Sequence, residues 1–144
     1  MSVEENKAVA RRVVEELFNH TGNLDAAEEL FAPNYVGHVA GFEDLHGAEA
    51  VKQFAATERQ AFPDLQNTIE DLIAEGDKVV TFYRARGTHQ GESEAFGPPT
   101  GNQIEVTGMV IQRFAEGRIV EDWTVFDALG MMQQLGLVPQ AGQA

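Results

Sequence analysis

The stretch "EGRIVEDWTVFDALGMMQQLG", residues 116–136, decides how the rest of the chain is read. Glu116-Gly117 is a two-residue hairpin turn, because a Gly preceded by a polar residue suits the positive φ angles such turns demand. The next nine residues are rich in β-branched and aromatic side chains, which predicts a strand ending at Phe126. Asp127 then opens a short helix, with Gly136 where its C-cap falls. Around the chain's single tryptophan, Trp123, stand three carboxylates: Glu121, Asp122 and Asp127. They are candidates for acid/base chemistry, for a solvated face and for a helix cap.

Three earlier runs share the period of two: "LQNTIEDLIA" (65–74), "KVVTFYRARGTH" (78–89) and "QIEVTGMVIQRF" (103–114). "EGD" joins the first two, and the Gly/Pro-rich segment 90–102 joins the middle pair with enough length to form a pocket rim. Ahead of the strands the period is helical. Ser2 and Glu5 form a capping box for a helix to about Asn19. A second short helix runs from a cap at Asn23 to Phe31 and stops at Pro33. "YVGHV" follows as a short extended piece. A third helix spans about Gly47 to Ala61, with Val51, Phe54, Ala55 and Phe62 on its inner side. Helices followed by an antiparallel meander predict an α+β fold: a curved, mostly antiparallel sheet of four or more strands, with the N-terminal helices over its concave face. Residues 1–144 read as one domain.

Ten basic residues against 23 acidic ones give a net charge of −13. Such a surface argues against nucleic acid and anionic membrane as partners. Both a salt-rich cytoplasm and ordinary bacterial acidity account for it. The chain has no cysteine, so disulfides and thiolate metal sites are excluded. No two histidines have ligand spacing, and no metal is expected. No apolar run reaches the roughly 20 residues of a membrane span, and "MSVEENK" is too acidic for a signal or transit peptide. The expected location is the cytoplasm.

Counting outward from a two-residue turn pairs residues whose numbers sum to 233, and opposed residues share a sheet face. One face then carries Val106, Gly108, Val110 and Gln112 with Glu121, Trp123, Val125 and Asp127. The other carries Thr107, Met109 and Ile111 with Asp122, Thr124 and Phe126. Both faces are mixed, and the alternation alone leaves open whether Asp122 or Asp127 faces the interior.

The order of elements, with "AFPDL", "AEGDKVV", "GTHQGESEAFGPPTG" and "EGRIVEDWTVFD…QQLG", resembles the SnoaL-like polyketide (ester) cyclases from Glu4 to Leu137. The resemblance implies the cone-shaped fold shared with nuclear transport factor two, ketosteroid isomerase and limonene epoxide hydrolase. It also implies a deep apolar pocket, no cofactor and a homodimer through the sheet. Family cyclases close a ring by intramolecular aldol condensation, which needs a carboxylate lifted in pKa and a donor for the enolate oxygen. Their acid/base aspartate directly follows the strand's tryptophan and points into the cone. That position is Thr124 here, and Met109 stands about where they place a helper histidine.

This alignment makes Asp122, Thr124 and Phe126 the pocket wall, together with Thr107, Met109 and Ile111. Asp122 becomes the strand's pocket carboxylate, and His38 and His89 become further catalytic candidates because both lie in segments shared with the family. Asp127 reads as a helix N-cap. Arg84 and Arg86 share a strand face, where they neutralise a pocket acid or bridge outer ones. Three functions stay open: an enzyme of the cyclase or isomerase kind acting on a small apolar carbonyl compound or ester, a non-catalytic binder of the same ligand class, and hydration resembling limonene epoxide hydrolase.

Overall fold

The computed structural model describes residues 2–94 and 96–139. Helix α1 (Val3–Arg12) starts at the Ser2–Glu5 capping box, in which Ser2 Oγ accepts from Glu5 N and Glu5 Oε1 accepts from Ser2 N. It runs on as a π turn, Val13–Leu17. The Arg59 guanidinium donates to the carbonyls of Glu16, Leu17 and Gly22, satisfying the acceptors freed where the turn ends. A short turn, Leu24–Ala26, capped by Asn23, leads into α2 (Ala27–Leu30).

Strand β1 (Phe31–Val39) starts earlier than the sequence suggests and runs through Pro33. Its pairing with the neighbouring strand skips from Phe31 to Val36, so Pro33 lies where no ladder hydrogen bond is required of it. Strand β2 (Leu45–His46) and helix α3 (Gly47–Ala61) follow. The long strands are β3 (Gln66–Glu75), β4 (Lys78–Thr88), β5 (Gln103–Ala115) and β6 (Arg118–Phe126), and helix α4 (Ala128–Gln134) closes the fold.

The sheet has six strands in the order β2-β1-β6-β5-β4-β3. All neighbours are antiparallel except β1 and β6, so the sheet is mixed and does not close into a barrel. The α+β expectation holds, with two more strands than the four long runs and one parallel pairing that local patterning does not reveal. Two apolar clusters fill the concave side. One joins α1, α2 and α3 to β1 around Leu17, Leu30, Phe31 and Ala55. The other lies beneath α4 around Phe62, Leu65, Ile104 and Met131.

The β5–β6 hairpin turns at Glu116 and Gly117, both with positive φ, as a tight twist-compatible loop requires. Ala115 opposes Arg118 and Phe114 opposes Ile119, as the count from the turn gives. Then Arg113 opposes Glu121, which leaves Val120 as an extra residue in β6. This one-residue bulge reverses the relative facing of the two strands beyond it. Asp122, Thr124 and Phe126 therefore share a face with Gln112, Val110 and Gly108 rather than with Ile111, Met109 and Thr107.

Candidate functional site

A cavity of about 170 Å³ lies between the concave face of the sheet and the helices α1 and α3. Its wall is built mainly from phenylalanines: seven of the chain's nine line it, all except Phe82 and Phe114. Phe42 is exposed yet lines the cavity and packs against Phe54 and Phe126, which puts it at the mouth.

Asp122 is set into this apolar wall, only 5% exposed. The bulge at Val120 turns it inward, and burial pushes its carboxyl up to about 6, because charge is disfavoured away from water. The Tyr35 hydroxyl donates to Asp122 Oδ1 at 2.7 Å and partly opposes that rise. Burial, then the charge on Asp122, holds the Tyr35 phenol above its ordinary range. The pair has room only because residue 37 is glycine. Gly37 faces Asp122 across β1 and β6, and a Cβ there would overlap the Tyr35 hydroxyl and press on Asp122 Oδ1.

Gly108 makes a similar space for Tyr83, directly opposite on β4, whose hydroxyl would collide with a Cβ at 108. Tyr83 is held above its ordinary range by burial and by the neighbouring Glu58. Glu58 reaches the cavity from α3. The residue as a whole is partly exposed, while its carboxyl is desolvated, and desolvation alone pushes that carboxyl up to about 7. Thr81 and Gln112 are among the uncharged polar residues of the lining, with Thr57, Asn67, Ser93 and Thr124. Thr81 Oγ1 and Gln112 Oε1 are buried with no hydrogen-bond partner among the described residues, and Gln112 lies directly opposite Asp122.

The expected site is thus partly redrawn. Asp122, Thr124 and Phe126 line the cavity. Thr107, Met109 and Ile111 do not. They are on the outer face, with Met109 47% and Ile111 40% exposed, because the bulge breaks the parity counted from the turn. His38 is also on the outer face: Tyr35, Gly37 and Val39 take the inward positions of β1. His38 pairs across the sheet with Trp123 and stacks on it at 5.7 Å. Its ring nitrogens meet Glu121 at 2.8 Å and Asp44 at 3.0 Å, and those bonds raise its pKa.

His89 is fully buried behind the wall, packed between Phe62 and Phe96, with Nδ1 accepting from Thr100 N. Neither histidine lines the cavity. Arg84 and Arg86 pair with Glu70 and Glu105 on the outer surface, so among the described residues no arginine joins Asp122 in an Asp–Arg–Asp cluster. Asp127 caps α4, accepting from Gly130 N at 2.8 Å, and stays exposed. Met131, read from the sequence as core, is buried and also lines the cavity.

Tyr35, Glu58, Thr81, Tyr83 and Gln112 were not singled out from the sequence. The signal for Glu58 was present: it lies seven residues after Val51 and four before Phe62, on the apolar stripe of α3.

The model of the SnoaL-like polyketide cyclase family matches residues 8–135. Among the curated proteins, none matches. Among solved structures, the chain is 25% identical to a SnoaL-like protein of Jannaschia sp. CCS1, covering 94% of each chain with a TM-score of 0.85. It is 36% identical to IdmH of Streptomyces antibioticus, over 91% of this chain and 98% of that one, with a TM-score of 0.74. A protein of Catenulispora acidiphila with a ketosteroid isomerase-like fold, 18% identical, superposes over 90% of this chain and 93% of that one with a TM-score of 0.75, a likeness of fold.

Proposed function

Because this chain belongs to the SnoaL-like polyketide cyclase family, we propose that its cavity binds a small apolar carbonyl compound or ester and that Asp122 moves a proton at the carbon beside the carbonyl. The observation that carries this reading is the burial of Asp122 in an apolar wall, with one carboxylate oxygen held by Tyr35. With a midpoint of about 6, Asp122 is mostly ionised at neutral pH and basic enough to accept a proton. Oδ1 is held by Tyr35, which leaves Oδ2 to take the proton from the substrate carbon. The C–H electron pair moves into the enolate, whose oxygen accepts from the hydroxyl of Tyr83 or Thr81, both in the cavity wall. The enolate carbon then bonds to a second carbonyl of the same molecule, and the new alkoxide takes the proton back from Asp122. Returning the proton to carbon at a different position instead gives isomerisation.

A second reading is favoured by one residue. Thr124 occupies the position of the family's acid/base aspartate and lines the cavity, and a hydroxyl there is no base at neutral pH. On this reading the cavity binds the same class of ligand without turnover.

Solvent deuterium exchange separates the two. Cyclohexanone, acetophenone and ethyl phenylacetate are incubated with the protein in D2O, and α-deuteration is followed by NMR. The acid/base reading expects accelerated exchange that Asp122→Asn abolishes and Asp127→Asn leaves in place. Probe binding without exchange supports the binder. Exchange lost in Asp127→Asn and retained in Asp122→Asn overturns the assignment of Asp122.

The outer sheet face supports a homodimer as part of the same proposal. Met109, Ile111, Trp123 and Val125 form an exposed apolar patch on neighbouring strands β5 and β6. Such a patch is what a symmetric sheet contact buries.

A further inference from the structure

The charge inside the cavity is one-sided. Among the described residues, four titratable side chains line it: Tyr35 from β1, Glu58 from α3, Tyr83 from β4 and Asp122 from β6. No lysine, arginine or histidine lines it among the described residues. Arg59 is engaged with the carbonyls of residues 16, 17 and 22, and His38 with Glu121 and Asp44 on the far side of the sheet, while His89 lies against Phe62 and Phe96 without lining the cavity. Asp122 has Tyr35 as a donor, whereas no hydrogen bond to the Glu58 carboxyl is seen among the described residues. The unpartnered Gln112 Oε1 adds an acceptor and Thr81 Oγ1 a hydroxyl, each 2% exposed or less. An anion here would meet two carboxyls with no counter-charge, at the cost that burial imposes on like charges. A cation would relieve both carboxyls in a wall rich in aromatic rings, whose π-systems favour cations.

We propose that the cavity recognises a protonated amine carried on a compact hydrocarbon, with Glu58 as its counter-charge. The inference rests on the cavity being the ligand site and extends the reaction proposed above: its substrate is then an apolar carbonyl compound bearing a basic nitrogen. Two carboxyls divide the work. Asp122, held by Tyr35, handles the proton, and Glu58, without such a donor, holds the ammonium.

The test compares three probes with one cage-like skeleton, adamantylamine, adamantanol and adamantanecarboxylate, by calorimetry on the intact protein. At pH 8 the amine should bind at least about tenfold more tightly than the alcohol, and the carboxylate most weakly of the three. Glu58 has its midpoint at about 7, so its ionised share, and with it the amine's affinity, should rise roughly tenfold between pH 6 and pH 8. The alcohol's affinity should stay flat. Glu58→Gln should remove most of the amine's advantage and cut its pH dependence to at most the roughly twofold change that Asp122 leaves between pH 6 and pH 8, with adamantanol binding intact, which also shows that the variant is folded. An amine no tighter than the alcohol at pH 8, a carboxylate preferred over both, or a failure of all three to bind overturns the proposal. Alcohol binding with no gain for the amine would leave the role of Asp122 standing, because deuterium exchange tests that role separately.

Discussion

Replacing Asp122 by asparagine should make the protein more stable at alkaline pH, in contrast to most substitutions of a buried hydrogen-bonded residue. Burial lifts the Asp122 carboxyl from 3.8 to about 6. The sign follows from which state binds the proton more tightly. Between those pH values the folded protein keeps a proton that the unfolded chain has lost, so this group's contribution is fully present below 3.8 and is lost as pH rises through about 6. At ~1.36 kcal/mol per pH unit, the folded state carries a cost of ~3 kcal/mol at pH 8. Asparagine has nearly the same shape, and its amide oxygen can still accept from the Tyr35 hydroxyl, so that cost disappears with the charge. For a chain of this size ~3 kcal/mol corresponds to a rise in Tm of roughly 6–12 °C. Urea and thermal melts of wild type and Asp122→Asn at half-unit steps from pH 4 to pH 8 should show a gap that is small at pH 4 and opens through pH 6. A variant less stable than wild type at pH 8, by an amount independent of pH, would refute the reasoning.

Gly37→Ala should cost ~1–3 kcal/mol in urea denaturation, because the added Cβ lands on the Tyr35 hydroxyl and breaks its bond to Asp122; an unchanged midpoint would mean that β1 yields freely. Asp127→Ala should cost ~1 kcal/mol through loss of the α4 cap, and Asp127→Asn only a few tenths, both read from thermal melts. Light scattering should give about twice the 15.8 kDa chain mass at micromolar concentration, and Trp123→Glu on the exposed face should return it to the chain mass; a wild-type monomer would remove the proposed dimer.

Where local chemistry dictates structure, the sequence was readable. The Ser2–Glu5 box, the Asp127 cap, the Glu116-Gly117 turn and the apolar stripe of α3 each need only neighbours within a turn, and all four form as their residues require. What depended on distant partners was not. Nothing near Val120 marks it as the extra residue in β6, because a bulge is fixed by how the strand fits its neighbours, and one extra residue was enough to send Met109 and Ile111 outward. The extended run from Phe31 through Pro33 was masked by helix-forming residues before it, and its partner β6 lies almost ninety residues later in the chain. His38 went to the outer face for the reason that brought Tyr35 and Gly37 inward, a parity visible only once β1 is known to be a full strand. Glu58 escaped because a charged residue on a helix is ordinarily solvated, whereas here its place on the stripe turns it into the cavity.

Carbon-13 NMR titration of the aspartate side-chain carboxyls, with Asp122 assigned by its disappearance in Asp122→Asn, measures most directly whether this buried group can carry a proton near neutrality. The account predicts a midpoint of about 6 for Asp122, moved further upward in Tyr35→Phe, where the stabilising donor is gone. A midpoint at or below the ordinary 3.8 would contradict it, because a carboxyl that stays ionised so readily is neither desolvated in the cavity wall nor a proton carrier at neutral pH.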